Sequence, residues 1–505
     1  MKVLLAIIPV LIVLIGLGPL KLSSVKVAPV AMVVAMIIGV YGFGTTWGDL
    51  IVPVFLKRGV FEGLKAFFMI SGAYSLLRFM QMTGAIEKIK STISDLTHDK
   101  RAHVIIIAIF LGTFFEGAAG SGTPAAICAP LLVGLGYEPM TAAVVCLIAN
   151  CVPVSWGAAG LTTIMPATST DINKFMTVLE ASGAAGKMHM IGALVIMFIA
   201  IWFVFGKKGF KGMGPYLIIN SILYAGLIAL TSHTMPEIVG IATGMLMVAI
   251  NILLFKVFKF KTTTPDEFVY EPDLSAVKSG GEMSAVMAFI PYILLCICIP
   301  VVRFSLPLPF LAKIGFTTWV GCTIYIVIFL SSLIVPGGRK VVFRAIGNAF
   351  KSVWLSGIAI VSMVTLAAVM NGTGMTQAIA NFLTGVGGIY PAFAVLIGVL
   401  GSFVSGTAAT SNNMFGAMHC YAAVEMQMNP IPVFGAQNAG GALGNMICPF
   451  NVVQVATTTG MPGQEGKIMK RVLPAFCIVL VLYMALALLY THALFPFSTY
   501  PGMIG

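Results

Sequence analysis

Glu116 is the acidic side chain best placed for chemistry inside a membrane. It directly follows an apolar run that ends in LGTFF (residues 111–115), and it opens the stretch EGAAGSGTP. Ionisable residues within membrane segments are rare and commonly mark ion or proton pathways. A carboxyl in this position can bind and release a proton near neutral pH, so Glu116 is the candidate for proton coupling. The alternative is a structural carboxyl that accepts hydrogen bonds from the neighbouring glycine-rich backbone.

Small and polar residues surround Glu116, and a similar cluster lies near the C-terminal end of the chain. Residues 112–124 read GTFFEGAAGSGTP, and residues 401–413 read GSFVSGTAATSNN. Four residues of the first cluster are expected to interrupt a helix: Gly117, Gly120, Gly122 and Pro124. The freed N–H groups at the start of a following half-helix would form a site for an anion, helped by the helix dipole.

The candidate substrate-binding residues are those whose backbone N–H groups, hydroxyls or amides could bind such an anion. They are Gly117, Gly120, Ser121, Gly122, Thr123, Asn150, Ser405, Gly406, Thr407, Thr410, Ser411, Asn412, Asn413 and Asn438. The alternative is that the small residues only allow helices to pack closely, as they commonly do in membranes.

The two clusters align with each other at an almost constant offset. The aligned pairs are Gly112 with Gly401, Gly117 with Gly406, Asn150 with Asn438, and Thr83-Gly84 with Thr373-Gly374. In a bilayer, unwound backbone is tolerated only where protein or a water-filled cavity surrounds it. Matching interruptions in the two halves of a chain indicate the substrate site of a secondary transporter.

The composition places this chain among membrane proteins. Of 505 residues, 59% are hydrophobic and only 9% are charged, whereas a soluble domain has about 25% charged residues. The net charge of +12 comes from basic residues in short loops between apolar runs, which fits orientation in a membrane rather than nucleic-acid binding. The nine cysteines have no zinc-type spacing, so neither a metal site nor a cofactor is expected.

The chain is predicted to be an all-α polytopic membrane protein with about 12–14 membrane segments. We expect an N-terminal half (1–255), a hydrophilic cytoplasmic linker (256–283) and a C-terminal half (284–505). Two regions, 104–166 and 388–460, contain apolar stretches that are too short or too broken to be simple spans. The positive-inside rule puts the start of the first broken region inside and the start of the second outside, so the halves are predicted to be inverted repeats.

The histidines and serines offer little support for an enzyme. His98, His103, His189 and His492 are expected near the membrane interfaces and have no assigned role, whereas His419 is a candidate for proton handling. An intramembrane hydrolase would need a nucleophile beside a base, and only Ser405 or Ser411 with His419 offers that arrangement. A passive channel is a further alternative to an active transporter, and it would not concentrate its substrate.

Two neighbouring segments have distinctive sequences, LGTFFEGAAGSGTPAAICAPLLVGLG at residues 111–136 and CLIANCVPVSWGAAG at residues 146–160. The first resembles the signature region of the lactate permease family, and the second resembles the stretch that follows it in that family. Similar segments of the second half are 400–418, 437–449 and 463–474. The resemblance implies a plasma-membrane symporter for lactate, glycolate or a related 2-hydroxymonocarboxylate, driven by the proton gradient. It also implies an ion-transporter superfamily fold, with a scaffold, an elevator-type transport domain and two re-entrant helical hairpins.

The sequence departs from that family at three positions within the clusters. Ala408 stands where the family usually has Asp, Ser121 where it has Phe, and Thr123 where it has a small apolar residue. The added hydroxyls favour a more polar site. A sodium-coupled carboxylate transporter of the same superfamily is therefore the alternative, because Ser411-Asn412-Asn413 resembles its hairpin tips and offers oxygen ligands for Na⁺. The expected partners are a small carboxylate and the lipid bilayer, with a homodimer as a candidate assembly.

Overall fold

Helices account for the regular secondary structure of the chain wherever the structure describes it. The structure, a computed structural model, describes residues 2–17, 20, 22, 24–94, 96–120, 123–260, 262–269, 283–306, 314, 316–461 and 464–500. Within this part of the chain, the extended pairing is limited to one isolated bridge between Asp99 and Val269. The expected all-α class is confirmed for these residues.

The helices follow the chain in two series. Those of the first half are α1 (Lys2–Leu17), α2 (Ser24–Tyr41), α3 (Trp47–Met82), α4 (Ala85–Ser94), α5 (Lys100–Ala119), α6 (Thr123–Gly134), α7 (Pro139–Ala149), α8 (Gly157–Ala167), α9 (Val178–Phe205), α10 (Gly214–Thr234) and α11 (Val239–Val257). Those of the second half are α12 (Ala285–Ser305), α13 (Phe316–Ile334), α14 (Gly338–Gly372), α15 (Met375–Leu383), α16 (Tyr390–Ser405), α17 (Ala408–Glu425), α18 (Pro430–Gly444), α19 (Pro449–Thr458) and α20 (Glu465–Leu489).

Seven helices among the described residues are long and apolar enough to cross a membrane. The number rises to nine if each of two bent pairs counts as one span, namely α7 with Pro153–Ala167, bent by 61°, and the two parts of α14, bent by 48°. Shorter apolar helices lie within α1, α2, α12 and α13. The chain is therefore a multi-pass membrane protein, and the total of 12–14 segments stays a prediction.

Helix α9 begins at Val178 with a turn that contains Glu180, before its long apolar part. A capping box at Thr177 and Glu180 fixes its start, since the Thr177 hydroxyl accepts from the Glu180 N–H and the Glu180 carboxylate accepts from the Thr177 N–H. Such reciprocal bonds satisfy two of the N–H groups that a helix leaves unpaired at its start. Hydropathy alone does not detect this first polar part of the helix.

The first interruption occurs at Gly120, whereas Gly117 lies inside α5. Gly120 has φ +81° and donates its N–H to the Glu116 carbonyl at 2.8 Å, which ends the helix. A Cβ on Gly117 would lie 2.5 Å from the Ile241 nitrogen, so this glycine serves close packing of α5 against α11. Pro124 stands in the first turn of α6, where proline is tolerated. The expectation that Gly117 and Pro124 break the helix is therefore wrong, and Gly122 lies outside the described residues.

The second interruption repeats this geometry at Gly406. It has φ +82° and donates its N–H to the Ser402 carbonyl at 2.9 Å. The structural counterpart of Gly406 is therefore Gly120, and the predicted pairing of Gly406 with Gly117 is displaced by three residues. Asn150 caps the C-terminal end of α7, whereas Asn438 lies within α18, whose C-cap is Asn445. The two asparagines of the predicted pair therefore occupy different positions in their helices.

The Thr-Gly pairs adopt the same corner in both halves. The Thr83 hydroxyl donates to the Phe79 and Met80 carbonyls, and the Thr373 hydroxyl donates to the carbonyls at the matching positions of α14. The glycines that follow have φ +76° and +81°, the left-handed region that residues with a side chain rarely adopt. The two members of the predicted pair, Thr83-Gly84 and Thr373-Gly374, therefore have the same local geometry.

The first part of the predicted linker is attached to the helical bundle. Arg101, near the start of α5, is fully buried and pairs with Asp99 at 2.8 Å. Its guanidinium donates to the carbonyls of Gly209, Lys211 and Thr263. The Thr264 hydroxyl donates to Asp99, so this part of the linker is held against the start of α5. Residues 270–282 of the linker lie outside the described residues.

Candidate functional site

The Glu116 carboxyl is fully buried near the end of α5, one turn before the interruption at Gly120. The Asn150 side chain donates to its Oε2 at 3.1 Å. Its other oxygen, Oε1, has no hydrogen-bond partner among the described residues. A Cβ on Gly157 would lie 2.5 Å from Oε1, so the absence of a side chain at Gly157 leaves room for the carboxyl. The structure thus brings together two predicted site residues, Glu116 and Asn150.

The segment that faces Glu116 is a left-handed turn at Ala158, Ala159 and Gly160, at the start of α8. Their φ values are +50°, +58° and +82°. Two alanines in this region are unusual, because a non-glycine residue there costs of order 1–3 kcal/mol unless its surroundings hold it. A Cβ on Gly120 would lie 3.1 Å from the Ala158 Cβ, so the turn meets the end of α5. We call residues 157–160 the left-handed turn.

A chain of buried hydrogen bonds holds the left-handed turn. The Thr163 hydroxyl donates to the Ser155 carbonyl at 2.6 Å, across the turn. The Ser155 hydroxyl lies 2.7 Å from His189 Nε2, and His189 Nδ1 lies 2.9 Å from the Tyr483 hydroxyl. His189 is completely buried and lies within the 28-residue helix α9. Its expected position near a membrane interface stays a prediction.

The second half of the chain reaches the same segment. The Asn438 side chain donates to the Thr163 hydroxyl at 2.7 Å, and the Asn412 side chain donates to the Thr162 carbonyl at 3.2 Å. Gln437 donates to Ser411 and to Asn412. A buried amide and hydroxyl cluster therefore joins α17 and α18 to α8, and it contains three of the predicted site residues.

Several other predicted donors are already bonded within the protein. The Ser411 hydroxyl donates to the Gly398 carbonyl, and the Asn413 side chain donates to the Ala409 carbonyl. Ser405 donates to the Thr407 carbonyl, whereas Thr407 caps α17 by accepting from the Thr410 N–H and donating to the Thr410 hydroxyl. These groups shape the second interruption, and Thr407, Thr410 and Ser405 are only partly buried. In the first interruption Thr123 is the first residue of α6, and Ser121 lies outside the described residues.

Sequence reasoning missed the residues that surround the carboxyl and join the two halves: Gly157, Thr162, Thr163, His189 and Gln437. The motif PVSWGAAG contained the only signal for the left-handed turn, because its two glycines flank the two alanines. The backbone carbonyls of Ser155 and Thr162 act through tertiary contacts, which no local pattern reveals. Gln437 directly precedes the predicted Asn438, and both side chains point into the same cluster.

His419 has a different environment from the one that an enzyme would need. It is fully buried, and its Nδ1 lies 2.7 Å from the Tyr390 hydroxyl. The described hydrogen bonds of Ser405 and Ser411 go to Thr407, Gly398 and Gln437, with no bond to His419. Among the described residues, no group of three or more His, Cys, Asp or Glu side chains could hold a metal ion.

Apolar helices interrupted at buried polar turns, with a carboxyl beside one of them, define a polytopic membrane transporter rather than an enzyme. The chain belongs to the L-lactate permease family, whose model matches residues 2–336 and 305–495. It is 24% identical to the glycolate permease GlcA of Escherichia coli (strain K12), with 93% of this chain and 92% of that protein covered. It is 26% identical to the L-lactate permease of Bacillus subtilis (strain 168), with 83% of each chain covered.

A solved structure with a similar fold is that of Neisseria gonorrhoeae MtrF, from a class of antimetabolite efflux pumps. The similarity covers 96% of this chain and 98% of MtrF, with a TM-score of 0.51 and 14% sequence identity. At this level of identity the likeness concerns the fold alone.

Proposed function

We propose that this protein is a secondary active symporter that moves lactate or a related 2-hydroxymonocarboxylate together with protons. The observation that carries the proposal is the Glu116 carboxyl, which is fully buried beside an interrupted helix. Asn150 donates to one of its oxygens, and the other has no partner among the described residues. The names of the related permeases, for L-lactate and for glycolate, support the substrate class.

The carboxyl couples proton and substrate movement through the cost of burying charge. An unpaired charge inside the membrane costs several kcal/mol. Glu116 has Asn150 as a neutral partner, and no described cation forms an ion pair with it. With the substrate anion bound, a free Glu116 carboxylate would place two negative charges in the site. A proton at Oε1 removes one of them, so the site that carries both substrate and proton crosses the barrier at lower cost.

The substrate carboxylate is proposed to dock between the two interruptions. Helices α6 and α17 begin at the interruptions, and the first N–H groups of a helix have no partner within the helix itself. At α17 the Thr407 hydroxyl accepts from one of them, the Thr410 N–H. Anions bind well at such helix starts, because the N–H groups and the dipole act together. Thr123, Thr407 and Thr410 are the hydroxyls nearest these ends. The side chains of Ser411, Asn412 and Asn438 are bonded within the protein, and we propose that they hold the helices around this site in position.

We also propose that the two halves are inverted repeats, with a re-entrant hairpin at each interruption and an elevator-type transport domain. The matching corners at Thr83-Gly84 and Thr373-Gly374 support a repeat. The matching ends of α5 and α16, at Gly120 and Gly406, support a common hairpin design. Such repeats are frequent in secondary transporters, whose substrate sites lie where broken helices meet.

Sodium coupling is the second candidate, and buried amide oxygens favour it. The side-chain oxygens of Asn150, Gln437 and Asn438 have no hydrogen-bond partner among the described residues. Carbonyl and carboxylate oxygens suit hard cations. Together with Glu116 Oε1, these atoms offer the ligand type that Na⁺ needs.

Uptake of labelled lactate into proteoliposomes, with a pH gradient and a Na⁺ gradient imposed separately, tests both candidates. We expect the pH gradient alone to drive accumulation, and Glu116→Gln to abolish it. Glu138→Gln is the matched control, because Glu138 is exposed at the start of α7. Full proton-driven accumulation by Glu116→Gln would refute the proton role of Glu116, accumulation only with Na⁺ would favour the second candidate, and equilibration without accumulation would indicate a channel. If lactate is not taken up, labelled glycolate is the next substrate to test.

A further inference from the structure

We propose that His189 is a positioning residue for transport: it fixes Ser155, and through Ser155 it holds the left-handed turn against the Glu116 carboxyl. This inference rests on the proposed function, because it assigns a role to a residue that acts on the proton-coupling carboxyl. His189 itself touches neither Glu116 nor the proposed docking site of the substrate.

His189 is bonded through both ring nitrogens. Nε2 lies 2.7 Å from the Ser155 hydroxyl, and Nδ1 lies 2.9 Å from the hydroxyl of Tyr483 on α20. The Trp156 and Tyr483 rings contact the imidazole edge to face, with centroids 5.4 and 5.5 Å away. A Cβ on Gly192 would collide with the Tyr483 hydroxyl, so a glycine on the next turn of α9 admits this ring. The imidazole is thus fixed from two sides.

The partners of His189 are neutral groups. The described hydrogen bonds and ring contacts of the imidazole involve Ser155, Trp156 and Tyr483. A neutral imidazole has one N–H donor and one acceptor, and a hydroxyl can take either role. Both bonds are therefore satisfied by a neutral ring in either tautomer. The arrangement suits a fixed polar connection between helices better than a site that gains and loses charge.

The left-handed turn needs such a connection because it stores backbone strain. Ala158 and Ala159 both have φ between +50° and +58°, and each costs of order 1–3 kcal/mol unless its surroundings determine it. Ser155 connects the turn to α9. Its carbonyl accepts a hydrogen bond from Thr163 across the turn, and its hydroxyl bonds to His189 on α9. The adjacent Trp156 donates to the Ser182 hydroxyl on α9. Helix α9 therefore holds the entrance to the turn at two neighbouring residues.

The position of the turn decides the environment of Glu116. Gly157 leaves room for the Oε1 atom, which has no hydrogen-bond partner in the described part of the chain, and Ala158 meets Gly120 at the end of α5. A shift of about 1 Å in a group that positions a reacting centre can lower a rate about 100-fold. Loss of the bond between His189 and Ser155 would release the turn toward the carboxyl, while α9 itself stays folded.

Four variants test the role of His189, because each removes one of its two bonds. Asparagine places its amide near the position of Nδ1, so His189→Asn keeps the Tyr483 bond and loses the Ser155 bond. Glutamine reaches the position of Nε2, so His189→Gln keeps the Ser155 bond. Ser155→Ala and Tyr483→Phe remove the same two bonds from the other side. Each variant thus loses one buried hydrogen bond. His189→Asn and Ser155→Ala lose the bond between His189 and Ser155, whereas His189→Gln and Tyr483→Phe lose the bond between His189 and Tyr483.

The initial rate of labelled lactate uptake in proteoliposomes is measured over a range of lactate concentrations. We expect His189→Asn and Ser155→Ala to lower kcat about tenfold or more with little change in KM, and His189→Gln and Tyr483→Phe to stay within about threefold of the parent protein. Thermal midpoints in detergent should fall similarly in all four. A kcat that falls equally in the four variants, or in none, would overturn the proposal.

A second readout separates this inference from the proposed function. The carbonyl stretch of protonated Glu116 is identified in infrared difference spectra by its loss in Glu116→Gln. We expect the band to shift in Ser155→Ala and to stay in place in Tyr483→Phe, whatever the coupling ion or substrate proves to be. An unshifted band in Ser155→Ala would overturn the role of His189. Undiminished proton-driven uptake by Glu116→Gln would instead overturn the proposed coupling.

Discussion

Asn438 of α18 donates its side-chain amide to the hydroxyl of Thr163 on α8, at 2.7 Å and 275 residues apart in the sequence. The same hydroxyl donates to the Ser155 carbonyl. One threonine thus connects the second half of the chain to the turn that faces Glu116. Both side chains are completely buried.

Replacement of Asn438 by alanine should weaken this connection. The Thr163 hydroxyl keeps its own acceptor but loses its donor, and we expect a loss of about 1–3 kcal/mol of stability together with slower lactate uptake. Thermal unfolding in detergent and proteoliposome uptake measure the two effects. Asn381→Ala is the control, because the Asn381 side chain is exposed and only accepts from Gln377. Equal behaviour of the two variants would contradict a connecting role for Asn438.

Replacement of Gly157 by alanine should displace the Glu116 carboxyl. The new Cβ would lie 2.5 Å from Oε1, closer than real Cβ contacts, and the flexible carboxyl is the group that can move. We expect the bond from Asn150 to be disturbed and proton-driven uptake to fall about tenfold or more, with a folded protein. Gly134→Ala is the matched control, since a Cβ there meets nothing within 4 Å. Normal uptake by Gly157→Ala would mean that the carboxyl position is not critical.

Gly117→Ala distinguishes packing from substrate binding. A Cβ on Gly117 would lie 2.5 Å from the backbone nitrogen of Ile241, which cannot move without α11. Overpacking of this kind costs about 1–3 kcal/mol, so the thermal midpoint should fall. Gly226→Ala on α10 should leave the midpoint nearly unchanged, because its Cβ has open space. A stable Gly117→Ala protein with a raised KM for lactate would return Gly117 to the list of substrate-binding residues.

Asp99 gives the structure a pH dependence outside the membrane-spanning segments. Burial raises the pKa of its carboxyl, but hydrogen bonds from Arg101 and Thr262 and the guanidinium charge lower it by more, and the net pKa lies below its usual value. A carboxyl with a lowered folded-state pKa contributes stability that is present above the unfolded-state pKa and is lost as the pH falls through the folded-state value. We therefore expect this contribution to be constant near pH 7 and to decrease below about pH 4.

Asp99→Asn should remove this acid-dependent part of the stability and lower the thermal midpoint at neutral pH. Loss of one partner of a buried ion pair costs about 3–5 kcal/mol, because the Arg101 charge would remain buried without its counterion. Thermal midpoints measured between pH 3 and pH 8 test both statements. Asp266→Asn serves as the control at an exposed carboxyl of the same region. Parallel acid dependence in the parent protein and Asp99→Asn would exclude Asp99 as the source.

The sequence predicted the groups that act locally. Gly120 and Gly406 end their helices with a positive φ, and Gly120 was expected as a break. Glu116 was expected to be buried, since an apolar run leads directly into it. Gly117 has the same composition signal as Gly120 but a different role, because the proximity of α11 is a tertiary fact. Periodicity and spacing cannot separate a glycine that bends a chain from one that admits a neighbour.

Local sequence patterns could not predict the left-handed turn or the hydrogen bonds that hold it, for a physical reason. Alanine favours right-handed helix, so positive φ at Ala158 and Ala159 contradicts the local preference and depends on the contacts of Ser155 and Thr163. His189 had no assigned role, because its partners Ser155 and Tyr483 lie 34 and 294 residues away in the sequence. Residues that oppose a local preference are found only when their tertiary partners are known.

The attachment of Thr263 and Thr264 to the N-terminal start of α5 has a mechanical consequence. These residues follow the end of α11, and α11 is in backbone contact with α5 at Gly117 and Gly240. Arg101 and Asp99 fasten the other end of α5 to Thr263 and Thr264. The two helices are thus joined near both ends of α5. A spectroscopic label near Asp266 is therefore expected to move together with Glu116, roughly 25 Å away along α5.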